Sequence, residues 1–143
     1  MANLNVNVNA TWEGGTKGNG TLNSEYLETN ISIPTFLGGS GDGAHPKEMF
    51  IASVSSCYTA TLVYLLETKK IAVTELSVKT EAKISDKDYT IIHYPHIVLP
   101  NNATDDEVQA AHRTAEAADK PCDIGNILKK AGGTIELEIK VTR

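Results

Sequence analysis

MFIASVSSCYTATLVYLL, residues 49–66, contains no charged side chain over 18 consecutive positions. That length approaches the roughly 20 apolar residues of a transmembrane helix. Hydroxyl side chains dilute its apolarity, however, at Ser53, Ser55, Ser56, Thr59 and Thr61. We therefore expect a helix of the protein core, apolar on nearly all sides and buried on most of them. Pro46 suits its first turn, because the N–H that proline lacks would be unpaired there anyway, and Cys57 lies at its middle.

The chain before this helix predicts short strands joined by glycine-rich turns. Apolar residues alternate with polar ones, at Leu4, Val6, Val8, Ala10 and Trp12. A period of two predicts a half-buried strand, and the glycines of residues 14–20 then end it as a hairpin loop would. Two shorter strands are expected at about 20–25 and 27–33. Residues 34–44 are rich in glycine but lack the spacing of a phosphate-binding loop, so we expect a flexible connection there.

The chain after this helix predicts an α+β fold. Thr104-Asp105-Asp106-Glu107 predicts a capping box that opens a helix, with its acids at the positive end of the helix dipole. The predicted elements are, in order, strands at about 73–84 and 89–99, helices at about 104–119 and 120–130, and a strand at about 134–142. Strands and helices alternate too coarsely for a doubly wound sheet. We expect one domain over residues 1–143, with a helix packed on an antiparallel sheet.

Composition and charge exclude several classes of partner. The net charge of −5 argues against a nucleic acid or an anionic membrane, because binding to either relies on clustered Lys and Arg. Residues 1–5 lack the basic and apolar regions of a secretory signal. Two cysteines are also too few for a secreted disulfide scaffold. We expect a cytoplasmic protein whose cysteines are reduced at rest.

The two cysteines differ in their local placement. Cys57, in the middle of an apolar helix, can be simply a small buried core residue. Cys122 follows Pro121 at the start of a helix, where unpaired backbone N–H groups favour a thiolate. Local placement therefore predicts that Cys122 is the more acidic of the two. No zinc signature is formed by the histidines, which are His45, His93, His96 and His112, so we expect no metal site.

Two motifs resemble those of the OsmC family. His45 to Cys57 resembles the start of that family's central helix, which leads to its reactive cysteine, and Cys122 to Leu128 resembles its second cysteine motif. Trp12-Glu13-Gly14 also fits the family's first hairpin, and the order of strands and helices matches over nearly the whole chain. The resemblance implies antiparallel sheets packed on a long central helix, in an intertwined homodimer with sites at the interface.

The resemblance also implies a thiol-dependent peroxidase that reduces organic hydroperoxides without a cofactor. Cys57 would attack the peroxide, Cys122 would resolve the product as a disulfide, and a dithiol reductant would restore both thiols. The family's enzymes use an N-terminal arginine and a glutamate ten residues before the first cysteine. Here Lys47 occupies that position beside Glu48, and no arginine precedes Arg113.

These departures leave other roles open. Lys47, Glu48 and Lys17 are candidates for stabilising a thiolate, although lysine cannot reproduce the bidentate fork of arginine. The second motif has Asp123 and Gly125 where the family has proline and serine. Two alternatives stand beside the peroxidase: a protein of the same fold that binds a small apolar ligand, and a structural or stress-induced dimer.

Overall fold

The computed structural model describes residues 3–143, which form two compact units, one up to Phe50 and one from Ile51. Met1 and Ala2, the first residues of the segment tested for a secretory signal, lie outside the described residues. The strands are β1 (Asn9–Glu13), β2 (Asn19–Asn23), β3 (Glu28–Ser32), β4 (Glu75–Ile84), β5 (Tyr89–Val98), β6 (Thr134–Leu137) and β7 (Lys140–Thr142). The helices are α1 (Pro46–Thr68), α2 (Asp105–Ala117) and α3 (Asp123–Lys130), with a short 3₁₀ turn at Thr35–Leu37. The α+β class predicted from the sequence is confirmed.

The first unit contains an antiparallel sheet in the order β1-β2-β3. Its first strand begins at Asn9, later than the alternating pattern predicted, and Leu4 is 86% exposed. Asn9 pairs with Asn23, the last residue of β2, so residues 3–8, the described residues before it, have no partner strand in this sheet. The alternation of apolar and polar residues therefore did not locate the start of β1, because a strand also needs a neighbouring strand to pair its backbone N–H and C=O groups.

The glycine-rich loop after β3, which we expected to be a flexible connection, is folded back along that strand and hydrogen-bonded to it. Ala44 N–H donates to Asn30 O at 2.8 Å, and Gly41 N–H donates to Ile33 O at 3.1 Å. A Cβ on Gly39 would lie 1.9 Å from Ile33 O, so only glycine permits this close approach of two backbone segments. The glycines serve packing here as well as turning.

The second unit contains a mixed sheet. β4 and β5 pair antiparallel as predicted, whereas β6 and β7 both pair with β5 in parallel. The chain leaves β5, passes through α2 and α3 and returns alongside, which is the crossover that parallel pairing requires. The predicted last strand is split at residues 138–139, opposite Pro95 by the register of β7. Proline cannot donate to a ladder, which accounts for the interruption.

Helix α1 packs on this sheet through one stripe of residues spaced four apart: Val54, Tyr58, Leu62 and Leu66. The core beneath them includes Ile97 of β5, Leu99 immediately after that strand, and Ala111 and Ala115 of α2. The opposite face remains open, and Tyr64 is 69% exposed. By length and composition α1 is, among the described residues, the one helix that could cross a membrane, but core helices of soluble proteins pass the same test. Because this face of α1 is exposed, the expectation that the helix is buried on most sides is not met within one chain.

Candidate functional site

Cys57 and Cys122, 65 positions apart in the sequence, lie side by side in the second unit. Cys57 is at the centre of α1 and partly exposed, whereas Cys122 is the N-cap residue of α3 and only 1% exposed. The two thiols are free and hydrogen-bonded to each other. This bond favours the protonated form of Cys122, so Cys122 S–H donates and the sulfur of Cys57 accepts.

Burial dominates the electrostatics of Cys122. Burial raises the pKa of the Cys122 thiol to about 11, and the bond to Cys57 and the negative charge of Asp119 act in the same direction. The backbone N–H of Gly125, in the first turn of α3, does point at the sulfur and lowers the pKa, as a helix start should. It is outweighed. The expectation that helix placement makes Cys122 prone to ionise is wrong, because desolvation of a buried thiolate costs more than one N–H donor returns.

Gly125 provides the space that the Cys122 sulfur occupies. A Cβ at this position would lie 3.2 Å from Cys122 Sγ and 3.0 Å from Ile135 Cδ1. The second cysteine motif of the family has serine here, and a serine Cβ would press on both atoms. The departure from the motif therefore has a steric consequence, since glycine leaves the sulfur free to face the helix start.

A partly buried chain of hydrogen bonds joins Ser55 of α1 to strands β4 and β5. His93 of β5 is fully buried, and its ring stacks on Tyr58 with centroids 4.5 Å apart. The hydroxyl of Thr80 donates to Ser55 Oγ at 2.8 Å and lies 2.8 Å from His93 Nδ1. Because Thr80 has a single hydroxyl hydrogen, His93 Nδ1 carries the proton and donates to Thr80. His93 Nε2 is then a bare acceptor, and it has no hydrogen-bond partner within residues 3–143.

Asp119 lies at the junction of these groups, three residues before Cys122. Its Oδ2 accepts a hydrogen bond from Lys129 of α3, while its Oδ1 is buried and has no partner among the residues described. Its charge acts on the pKa of Tyr58, His93 and Cys122, raising each. Burial is the larger effect on His93 and lowers the pKa of that ring overall.

Sequence reasoning missed Tyr58, His93 and Asp119. His93 alternates with Ile91, Pro95 and Ile97 on the buried face of β5. A lone polar residue on an otherwise apolar face was the available signal. Asp119 and Tyr58 carried no such signal in the sequence, because their interactions are with groups that only the folded chain brings near them. Among the described residues, no group of three His, Cys, Asp or Glu side chains could hold a metal ion.

The three charged candidates from the sequence lie in the first unit. Lys17 is exposed in the turn between β1 and β2. Lys47 and Glu48 are exposed in the first turn of α1, ten and nine residues before Cys57 along that helix. The backbone N–H of Glu48 donates to His45 Nδ1 at 3.3 Å.

Comparison with known proteins gives a consistent result. A family model described as OsmC-like protein matches residues 39–138, a range that includes both cysteines. The uncharacterized protein YmaD of Bacillus subtilis is 31% identical over 147 residues, covering 99% of this chain and 96% of that protein. The crystal structure of an organic hydroperoxide resistance protein from Elizabethkingia anophelis superposes with a TM-score of 0.65 at 25% identity, covering 99% of this chain and 98% of that one. An OsmC-like protein of unknown function from Vibrio cholerae gives a TM-score of 0.76 at 15% identity, covering 95% and 99%.

Proposed function

The chain belongs to the OsmC-like protein family, and we propose that it is a thiol-dependent peroxidase that reduces organic hydroperoxides through Cys57 and Cys122. The observation that carries this proposal is the hydrogen bond between the two thiols. Disulfide formation requires two thiols within reach of each other, and the hydrogen bond places these two in that arrangement. The organic hydroperoxide resistance protein of similar fold, at 25% identity, supports the substrate class.

The proposed reaction has three balanced steps. The Cys57 thiolate attacks one peroxide oxygen, so that an S–O bond forms and the O–O bond breaks. The alkoxide that is released takes a proton from solvent, which balances the proton lost from the Cys57 thiol, and leaves as the alcohol. Cys122 then attacks the Cys57 sulfur, so that an S–S bond forms, the S–O bond breaks and water leaves. A dithiol reductant exchanges with the disulfide, becomes oxidised itself and restores both thiols.

The difference in exposure supports the proposed roles of the two cysteines. Cys57 is partly exposed, so a peroxide can reach its sulfur, whereas Cys122 is 1% exposed. Cys122 also keeps its proton, because burial raises its pKa. A buried, protonated thiol beside the attacking one suits a resolving cysteine, which acts only after its partner has been oxidised.

A second candidate is a protein that binds a small apolar ligand. A cavity of about 250 Å³ at the C-terminal end of α1 is lined mainly by apolar side chains, which are Val63, Leu66, Ile71, Val73 and Leu76, together with Glu67. Its volume is below the roughly 300–1,000 Å³ of typical ligand sites. The cysteine pair has no part in such a function, so thiol chemistry separates the two candidates.

We further propose that two copies of the chain associate through the exposed face of α1, in the cytoplasm. This face carries Val63 and Tyr64, which are 46% and 69% exposed, and α1 has no charge between Glu48 and Glu67. Tyr64→Glu should yield a monomer by sedimentation, whereas Ala117→Glu on the exposed side of α2 should not. A wild-type chain that sediments as a monomer at micromolar concentration would contradict this proposal.

The peroxidase proposal is tested by counting thiols and trapping the intermediate. Cumene hydroperoxide should convert the two free thiols of the reduced protein to a Cys57–Cys122 disulfide. Cys57→Ser should abolish peroxide consumption, and Cys122→Ser should stop after one turnover with a sulfenic acid on Cys57. Trapping on Cys122 in the Cys57→Ser protein would reverse the roles. If the wild type consumes no peroxide, the ligand-binding candidate takes precedence.

A further inference from the structure

The two thiols of the cysteine pair have the arrangement of a chelating dithiol. Cys57 and Cys122 are free, and they are hydrogen-bonded to each other. Cys57 also packs against the buried core cluster that includes Cys122. When two sulfurs lie side by side and bind the same atom, the second bond forms within one molecule and at a high effective concentration. The pair therefore suits a ligand that takes two sulfurs at once.

The surroundings of the pair restrict what that ligand can be. The chain has only two cysteines, and among residues 3–143 no group of three His, Cys, Asp or Glu side chains could hold a metal ion. Zinc takes four protein ligands in a structural site and three in a catalytic site, so two thiols do not complete its coordination. The ligand must instead be an atom that two sulfurs satisfy, with its remaining valence filled by a group of its own.

The buried thiol adds a second restriction. Cys122 is 1% exposed and donates its proton to the sulfur of Cys57, and burial raises its pKa to about 11. A metal cation binds the deprotonated sulfur, so this proton would have to be released to solvent. A trivalent arsenical with two hydroxyl groups has no such requirement, because each hydroxyl takes up one thiol proton and leaves as water.

We propose that Cys57 and Cys122 form a binding site for trivalent arsenicals of the form R–As(OH)₂, in which an organic group occupies the third valence of arsenic. Two S–H bonds and two As–O bonds break, two S–As bonds form, and two molecules of water leave. Arsenic remains trivalent, so no oxidant or reductant takes part. This binding needs only the two reduced thiols and does not depend on the peroxidase.

The difference in exposure sets the order of the two S–As bonds. Cys57 is partly exposed and reacts first, and Cys122 then closes the chelate from the buried side. The backbone N–H of Gly125 faces the Cys122 sulfur from α3, so the organic group remains on the accessible side, at Cys57. The bound arsenical closes the site, because both sulfurs are then taken up in S–As bonds.

Phenylarsine oxide, which hydrates to such a dihydroxide in water, tests the proposal on the reduced full-length protein. Intact-mass measurement should show one phenylarsenic group per chain with both hydroxyls lost, whereas an adduct of a single thiol retains one hydroxyl. Dimercaptopropanol, a dithiol, should remove the arsenical, and mercaptoethanol at the same thiol concentration should not. Phenylarsine oxide should also stop the alkylation of Cys57 by iodoacetamide, and zinc chloride at the same concentration should not.

Single variants measure the contribution of the second sulfur. Cys57→Ser and Cys122→Ser should each bind phenylarsine oxide at least about 100-fold more weakly, in competition with dimercaptopropanol, because the intramolecular second bond is lost. Ser56→Ala, beside Cys57 at an exposed position of α1, is the matched control and should bind as the wild type does. Cys122→Ala avoids burying a hydroxyl and replaces Cys122→Ser if that variant does not fold.

Several results would overturn the proposal. These are single variants that bind as tightly as the wild type, a wild type that takes one arsenical on each cysteine, and equal protection of Cys57 by zinc. Tight binding by an equimolar mixture of Cys57→Ser and Cys122→Ser would overturn it as well, since the two sulfurs would then come from different chains. Failure to consume cumene hydroperoxide, together with the expected arsenical adduct, would support this site and reject only the peroxidase. A disulfide formed by cumene hydroperoxide in a protein that forms no arsenical adduct would reject only this site.

Discussion

Replacement of Tyr58 by phenylalanine tests the hydrogen bond that joins α1, the helix of Cys57, to α2, the helix that precedes Cys122. The Tyr58 hydroxyl donates to Ala115 O at 2.8 Å, and the residue is fully buried. Ala115 lies in the last turn of α2, where backbone carbonyls run out of donors within the helix. Tyr58→Phe retains the ring that stacks on His93 and removes only the hydroxyl.

The expected loss of stability is about 2 kcal/mol, within the range of about 1–3 kcal/mol for a buried acceptor left without its donor. The phenyl ring leaves almost the same volume filled, so no large cavity adds to this cost. For a chain of this size, the midpoint of thermal unfolding should fall by roughly 4–8 °C.

Thermal and urea unfolding of reduced protein at one fixed concentration measure the effect, because association would otherwise shift the midpoint. Tyr26→Phe is the matched control: it removes a hydroxyl at a side chain that is 93% exposed, and should change stability by less than about 0.5 kcal/mol. If Tyr58→Phe unfolds like the control, the hydroxyl does not satisfy the Ala115 carbonyl and the reasoning fails.

Two further predictions concern the neighbours of the cysteine pair. Gly125→Ala places a methyl 3.2 Å from Cys122 Sγ and 3.0 Å from Ile135 Cδ1, so Cys122 must shift by a few tenths of an ångström. When reduced protein reacts with the aromatic disulfide DTNB, we expect Cys57 to release a first thionitrobenzoate and Cys122, attacking the mixed disulfide, to release a second. Gly125→Ala should slow the second release and not the first, and a second release as fast as in the wild type would show that the site adapts. Burial lowers the pKa of His93 from 6.5, so below that pH the unfolded state takes up a proton that the native state resists, and the free energy of unfolding falls as the pH drops. Urea unfolding at pH 7.5 and pH 5 should show a smaller fall for His93→Gln than for the wild type, and identical losses would argue against a buried neutral His93.

Local chemistry predicted those parts of the fold that depend on neighbours in sequence. The capping box at Thr104 is present, with its hydroxyl accepting from Glu107 N–H and the Glu107 carboxylate accepting from Thr104 N–H. The ends of β4 and β5 fell within two residues of the alternating patterns. The start of β1 could not be predicted in this way because it depends on where its partner strand β2 ends. The parallel pairing of β6 depends on β5, a partner strand far along the chain.

In the candidate site, too, some features could be predicted from the sequence and others depend on the packed chain. Spacing and resemblance selected Cys57 and Cys122, and the fold brings their thiols into contact. The ionisation of Cys122 was predicted in the wrong direction from Pro121 and the helix start alone. The N–H of Gly125 does face the sulfur, but the loss of water around it is a property of the packed chain and was invisible in the sequence.

The proposed roles of the two cysteines rest on their difference in burial rather than on helix placement. If Cys122 were the attacking thiol, a peroxide would have to reach a sulfur that is 1% exposed, beside a negative charge from Asp119 that opposes the thiolate. If Cys57 attacks, the same burial and charge become useful, because they keep Cys122 protonated and unoxidised until a sulfenic acid forms next to it. In the proposed mechanism, the difference in desolvation sets the order in which the two thiols react, without the family's arginine. Sulfenic-acid trapping tests this ordering directly, because the trap should label Cys57 in Cys122→Ser. Labelling of Cys122 in Cys57→Ser, without labelling of Cys57 in Cys122→Ser, would refute it.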